Sequence, residues 1–167
     1  MGKYLIYLTL ALSFASGVHA KDIKHTLSAI SDFKPLNNQA VVYYPHHGRQ
    51  ALAINAGRTD YRNKFASASY KINKDQVGTY QLTLVTLAEI DGESNYQVKL
   101  NGKIIGEFVN PETDIDYKKV YFELKNVKLK EGDVLTVSSM AVTNGKIPEN
   151  DETAYARGRW TSVLLGS

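Results

Sequence analysis

Between Gly78 and Leu87 the chain places Tyr80, Leu82 and Leu84 at alternate positions against Gln81, Thr83 and Val85. A period of two is the pattern of a β-strand with one face on a core, and it does not fit the three-to-four spacing of an amphipathic helix. The pattern recurs. Tyr96 to Leu100 alternates, Asn101-Gly102 offers two residues that tolerate positive φ in a tight hairpin turn, and Lys103 to Phe108 reads as the returning strand. Gln39 to Tyr44, Arg49 to Ala56, Ser67 to Ile72, Val120 to Leu124, Val127 to Leu129, Val134 to Ala141 and Arg159 to Leu165 supply further short β-runs. Glu131-Gly132-Asp133 reads as a turn, and Gly57 to Lys64 and Asn144 to Glu152 as polar loops. Asp22 to Ala29 reads as a short helix or an irregular entry segment. Strand after strand with no intervening helical pattern predicts an all-β fold, an antiparallel β-sandwich.

Ahead of these runs, Lys3 precedes the apolar stretch Tyr4 to Phe14, and Val18 and Ala20 flank His19. This is the layout of a cleavable export signal over residues 1–20, cut after Ala20, and the run is too short to span a bilayer. Residues 21–167 are then expected to form one β-sandwich domain in a secreted or periplasmic protein. No later run approaches ~18 apolar residues, so no membrane-spanning helix is expected. Cys 0 removes disulfides and thiolate metal sites, so the fold rests on its core. The formal net charge of +3 is interspersed rather than blocked, which argues against a nucleic-acid partner. The densest basic stretch, Lys118 to Lys130, alternates with Tyr121, Phe122 and Leu124 and reads as a solvated strand face.

The order Gly78-Thr-Tyr-Gln-Leu-Thr-Leu, then Tyr96-Gln-Val-Lys-Leu-Asn-Gly-Lys, then Val127-Lys-Leu-Lys-Glu-Gly-Asp-Val-Leu-Thr-Val resembles the galactose-binding-like jelly roll of carbohydrate-binding modules. The likeness covers roughly Ala51 to Leu165. It implies a non-catalytic module that binds extracellular polysaccharide or oligosaccharide, in association with secreted glycan-degrading enzymes. It also implies a structural calcium ion.

Sugar sites pair an aromatic ring, which packs on C–H groups, with planar polar side chains that bond hydroxyls. Residues of these types cluster on the expected loops: Tyr61 and Arg62 beside Arg58, Asn144, and Arg157-Gly-Arg-Trp160. Two readings of the last segment stay open. Trp160 stacks on ligand beside two guanidinium groups, or it enters the final strand as core while Arg157 and Arg159 pair with acids. In extended chain the two arginines would point the same way, opposite to Trp160. Glu89, Asp91 and Glu93 alternate between two strands, so their carboxylates would project together and call for an arginine or a calcium ion between them. The same carboxylates support an alternative reading as a small glycoside hydrolase or polysaccharide lyase. A third reading is a surface adhesion or assembly protein with a protein partner. His46 and His47 face opposite sides of an extended chain and have no partner at metal-ligand spacing, so they read as a surface turn. The chain carries no Gly-x-Ser-x-Gly element, P-loop or dinucleotide fingerprint, so no catalytic residue is assigned.

Overall fold

The computed structural model describes residues 22–167. The strands are β1 (Ile23–Ser28), β2 (Lys34–Pro35), β3 (Tyr43–His46), β4 (Ala51–Ile54), β5 (Phe65–Lys71), β6 (Gly78–Ala88) and β7 (Asn95–Leu100), followed by β8 (Lys103–Val109), β9 (Lys118–Leu129), β10 (Val134–Met140), β11 (Pro148–Glu149), β12 (Glu152–Thr153) and β13 (Trp160–Gly166). Three 3-10 turns join them, and no α-helix occurs among the described residues. One sheet runs β3-β4-β13-β6-β9, with β1 also paired to β13, and the other runs β2-β5-β10-β7-β8. The pairings are antiparallel; short connections join β3 to β4 and β7 to β8, while crossovers bring β5, β10 and β7, and β13, β6 and β9, side by side. The fold is therefore the antiparallel β-sandwich expected from the alternation.

The two sheets close on one apolar core. Leu52, Ile54, Leu82, Leu84, Trp160 and Leu165 come from the first sheet, and Ala66, Ala68, Val98, Leu135 and Val137 from the second, each at most 2% exposed. Burying a large aliphatic side chain of this kind contributes about 1.5–3 kcal/mol, which lets a chain without disulfides hold its shape. The predicted hairpin forms, with Asn101 at φ 51 and Gly102 at φ 81. The Asn101 side chain donates to Asp133 at 2.9 Å and accepts the Val134 amide at 2.9 Å, so this turn is tied to the neighbouring Glu131-Gly132-Asp133 turn.

Three expectations change. Asp22 to Ala29 is not helical. Ile23–Ser28 adds to β13, a pairing hidden in a sequence whose strand buries only Leu27. The runs Val120 to Leu124 and Val127 to Leu129 are one strand, interrupted by a bulge at Asn126, φ 57, where the ladder with β6 shifts register. The loop from Asn144 to Glu152 carries the small β11–β12 pairing. The predicted export signal lies outside the described residues. Among the described residues, no helix is long and apolar enough to cross a membrane.

Candidate functional site

The face of the six-stranded sheet turned away from the core carries a polar strip that can be followed strand by strand. On β3, Tyr43 points into the core, which puts Tyr44 and His46 together on the outer face, their rings 6.4 Å apart. On β4, Leu52 and Ile54 enter the core, so Ala51 and Ala53 lie on the outer face, directly opposite His46 and Tyr44. Methyl groups at these two positions leave room for long side chains to reach across β4 from the segment leading into β13. Arg157 Nη1 donates to the Tyr44 hydroxyl at 3.1 Å, and Arg159 Nε donates to His46 Nδ1 at 3.1 Å. Arg159 also donates to Glu89, which follows β6. Tyr117, just before β9, lies beneath two guanidinium groups, with Arg49 3.9 Å and Arg159 5.1 Å from its ring centre.

Gly158 makes the pair of arginines diverge. It has φ 58, and a Cβ there would meet Ser139 Oγ at 2.6 Å, while Ser139 donates to the Gly158 carbonyl at 2.6 Å. The chain between Arg157 and Arg159 is thus turned rather than extended. The Arg159 carbonyl accepts from Tyr96 at 2.8 Å, and Asn110 bonds both Tyr96 and Thr86, a buried network that holds this backbone in place. Tyr117 has φ 62, a left-handed conformation that costs a bulky residue on the order of 1–3 kcal/mol. Asp116 beside it accepts the Ile90 amide at 3.0 Å.

Charge along the strip is unevenly paired. The Glu89 carboxyl, 3% exposed, accepts from Arg159 with one oxygen and from the Arg157 amide at 2.9 Å with the other. Burial pushes it up to about 7, against the lowering pull of Arg159 and that amide, with Asp91 and Asp116 pushing it further up. Burial, then Arg159, Arg49 and Arg157, hold His46 below its usual range, so it is the neutral acceptor that its bond to Arg159 requires. Burial also raises Asp91, helped by Asp116 and Glu149. Next to the strip opens a cleft of about 510 Å³, lined by Tyr44, Asn55, Arg58, Tyr61 and Arg157 with Val42 and Tyr43. Arg58 lies 4.1 Å from the centre of the Tyr61 ring and bonds Asp60 at 2.7 Å.

The structure distributes the sequence-predicted residues unequally. Tyr61 and Arg157 line the cleft, and Glu89, which bonds Arg159, also accepts the Arg157 backbone amide. Arg62 lies nearby but is occupied, over the Tyr155 ring at 4.5 Å and bonded to Glu152 at 2.6 Å and the Ala56 carbonyl at 2.8 Å. Asn144 clamps the turn after β6, donating to the Ile90 carbonyl at 2.9 Å and to Glu93 at 3.4 Å. Trp160 is the clear correction. It is 0% exposed and packs edge-on against Phe33 at 4.9 Å, so it belongs to the core and presents no ring to a ligand. The acid trio does not project together either, because Glu89 is enclosed by Arg159 while Glu93 turns to Asn144. Among the described residues, no three His, Asp or Glu side chains gather to hold a metal ion, and the trio does not fit a calcium site. His46, expected in a surface turn, is instead a partner of Arg159. Sequence reasoning missed Tyr44, Arg49, Asn55 and Tyr117. The available signal was that Tyr44-x-His46 and Arg157-x-Arg159 are both spaced by two.

No family model matches the chain. It is 29% identical over 122 residues to an uncharacterized protein, P23, of Formosa agariphila, an alignment covering 71% of this chain and 27% of that protein. The chain thus spans about a quarter of the length of the curated relative it matches. Among solved structures it resembles a family 35 carbohydrate-binding module from an environmental isolate, with TM-score 0.53 and 13% identity over 86% of this chain and 93% of that one. It resembles the CBM36-1 domain of a multidomain xylanase from the hindgut metagenome of Trinervitermes trinervoides, with TM-score 0.52 and 15% identity over 86% and 96%. A third likeness is to the C-terminal CBM6 of a marine laminarinase from Zobellia galactanivorans, with TM-score 0.51 and 14% identity over 86% and 98%. These likenesses show that the chain shares the antiparallel β-sandwich fold of the three modules.

Proposed function

We propose that the chain is an exported, non-catalytic carbohydrate-binding module, and that sugar lies in the cleft between Tyr44, Asn55, Tyr61 and Arg157. The observation that carries this reading is the composition of the cleft. Two tyrosines, an amide and two guanidinium groups converge on about 510 Å³ of open space, within the size range of small-ligand sites. Phenol rings supply flat surfaces for sugar C–H groups, and Asn55, Arg58 and Arg157 supply planar donors for paired hydroxyls. Glycoside hydrolysis needs two carboxyl groups about 5–10 Å apart across an accessible cleft. Glu89 does not serve that role, because its oxygens are committed to Arg159 and to the Arg157 amide inside the protein. The shared sandwich of the xylanase- and laminarinase-associated modules supports the same class of function.

Screening residues 21–167 on an immobilised glycan panel, followed by calorimetry on the hits, tests this. Saturable binding without new reducing ends is expected, and Tyr44→Ala should weaken it about tenfold or more. Release of product, or undiminished binding by a Tyr44→Ala/Tyr61→Ala double variant, would overturn it. Repeating the titration in chelator separates binding by these side chains, which survives, from binding through a calcium ion, which does not.

A further inference from the structure

All five arginines of the chain, Arg49, Arg58, Arg62, Arg157 and Arg159, lie in or beside this one site, although they come from three separate stretches of sequence. Each engages an aromatic neighbour there. Arg49 and Arg159 lie over Tyr117, Arg58 over Tyr61 and Arg62 over Tyr155, while Arg157 bonds the Tyr44 hydroxyl. Their charges are compensated differently. Arg58, Arg62 and Arg159 have carboxylate partners in Asp60, Glu152 and Glu89. Among the described residues, Arg49 and Arg157 make no ion pair.

Arg157 is half-buried, so its charge is partly removed from water, yet its side chain is bonded to a neutral phenol. Glu89 meets only its backbone amide and spends its other oxygen on Arg159, and Glu149 acts on Arg157 through space without forming an ion pair. His46 takes up no positive charge here and accepts from Arg159. A cation held at a cleft wall without a counter-ion, with a fork that matches a planar or tetrahedral oxyanion, is set up for an anionic group.

We infer that the ligand is an acidic glycan whose carboxylate or sulfate is gripped by Arg157 at the wall of the cleft, while Tyr44 and Tyr61 pack on the sugar ring. This rests on the glycan-binding reading and narrows it to a class of sugar. Lysines distributed over a surface would attract such a polymer weakly and without geometry. The arginine fork at a fixed place instead selects where along the glycan the charge must fall.

Calorimetry with four probes tests the inference: oligogalacturonate, its carboxyl-reduced counterpart, a sulfated galactan oligosaccharide, and its desulfated counterpart. At least tenfold tighter binding of one acidic probe than of its neutral counterpart is expected, and the tighter pair tells uronate from sulfate ester. That preference should shrink as salt rises from about 50 to 500 mM. Arg157→Gln should abolish the preference, and Arg157→Lys, which keeps the charge but not the fork, should retain only part of it. Circular dichroism melts of both variants check folding, and Arg49→Gln, at a residue that makes no bond to Glu89 and does not line the cleft, provides a third variant with a smaller expected loss. Equal binding of acidic and neutral probes overturns the inference and leaves the module reading standing. Binding of none of a broad glycan panel overturns both.

Discussion

Two basic regions of this molecule share a sign of charge and little else. Along β9 and the turn after it, Lys118, Lys119, Lys125, Lys128 and Lys130 are exposed, and among the described residues none of them makes an ion pair. Across the outer face of the same sheet, Arg49 and Arg159 lie over the Tyr117 ring, Arg157 bonds the Tyr44 hydroxyl, and Arg159 crosses β4 to His46 while remaining 4% exposed. A hydrated ammonium on a flexible stem suits a strand edge, where it discourages other strands from pairing. A planar, weakly hydrated guanidinium tolerates burial and stacks, so it can be built into a site. Residue type, more than local charge density, separates surface from site in this chain.

The contrast breaks most severely at Glu89. Replacing it with Ala leaves Arg159 buried without its counter-charge and the Arg157 amide without an acceptor, and should cost about 3–5 kcal/mol in urea unfolding. A loss below about 1 kcal/mol would mean that the strip is solvated like the lysine edge. The pH dependence of stability gives a second measure. Glu89 is raised from 4.5 to about 7 in the folded chain, so between those values the folded state binds more protons than the unfolded one. Its stabilising contribution is therefore full below about 4.5 and is lost as pH rises through about 7, a change on the order of 3 kcal/mol. Other carboxyl groups titrate in the same range, so the readout is the difference between the parent and Glu89→Gln. That difference should vary across this window and flatten above about pH 8.

Gly158→Ala sharpens the comparison from the backbone side. The substitution forces a Cβ to within 2.6 Å of Ser139 Oγ in a left-handed conformation, at a cost of about 2 kcal/mol, and it should move Arg157 and Arg159 together. Glycan affinity should fall alongside the midpoint of unfolding. An unchanged affinity in a destabilised protein would show that the arginine pair is positioned by Glu89 and β3 alone.

What the sequence disclosed follows the range of the interactions involved. The β7–β8 hairpin is legible because Asn101 and Gly102 adopt positive φ next to the strands they join, and β6 is legible because Tyr80, Leu82 and Leu84 face the core. The strip was hidden because its bonds join residues 113 positions apart, Tyr44 to Arg157 and His46 to Arg159. Whether they meet depends on sheet order and on two alanines between them, neither of which leaves a local signature. Trp160 was ambiguous for a related reason. Alternation alone placed it opposite the arginines, but sequence does not say which side of the strand is covered until Phe33, just before β2, and Tyr43 of β3 pack against it.

The smallest expected effect tests the other half of the comparison. Lys125 and Lys128 lie on the exposed part of β9, away from Tyr117 and the cleft. Converting both to Gln should change unfolding free energy by less than about 0.5 kcal/mol, because no buried contact is lost. Self-association, followed by light scattering, should rise, since β9 closes the path of strands in its sheet and loses two edge charges. Binding of acidic oligosaccharide should stay within about twofold of the parent, as each charge lies beyond a screened distance at physiological salt. If this lysine pair weakened acidic binding as strongly as Arg157→Gln, selectivity would belong to the net field of the protein, and the fork at the cleft wall would lose its special place.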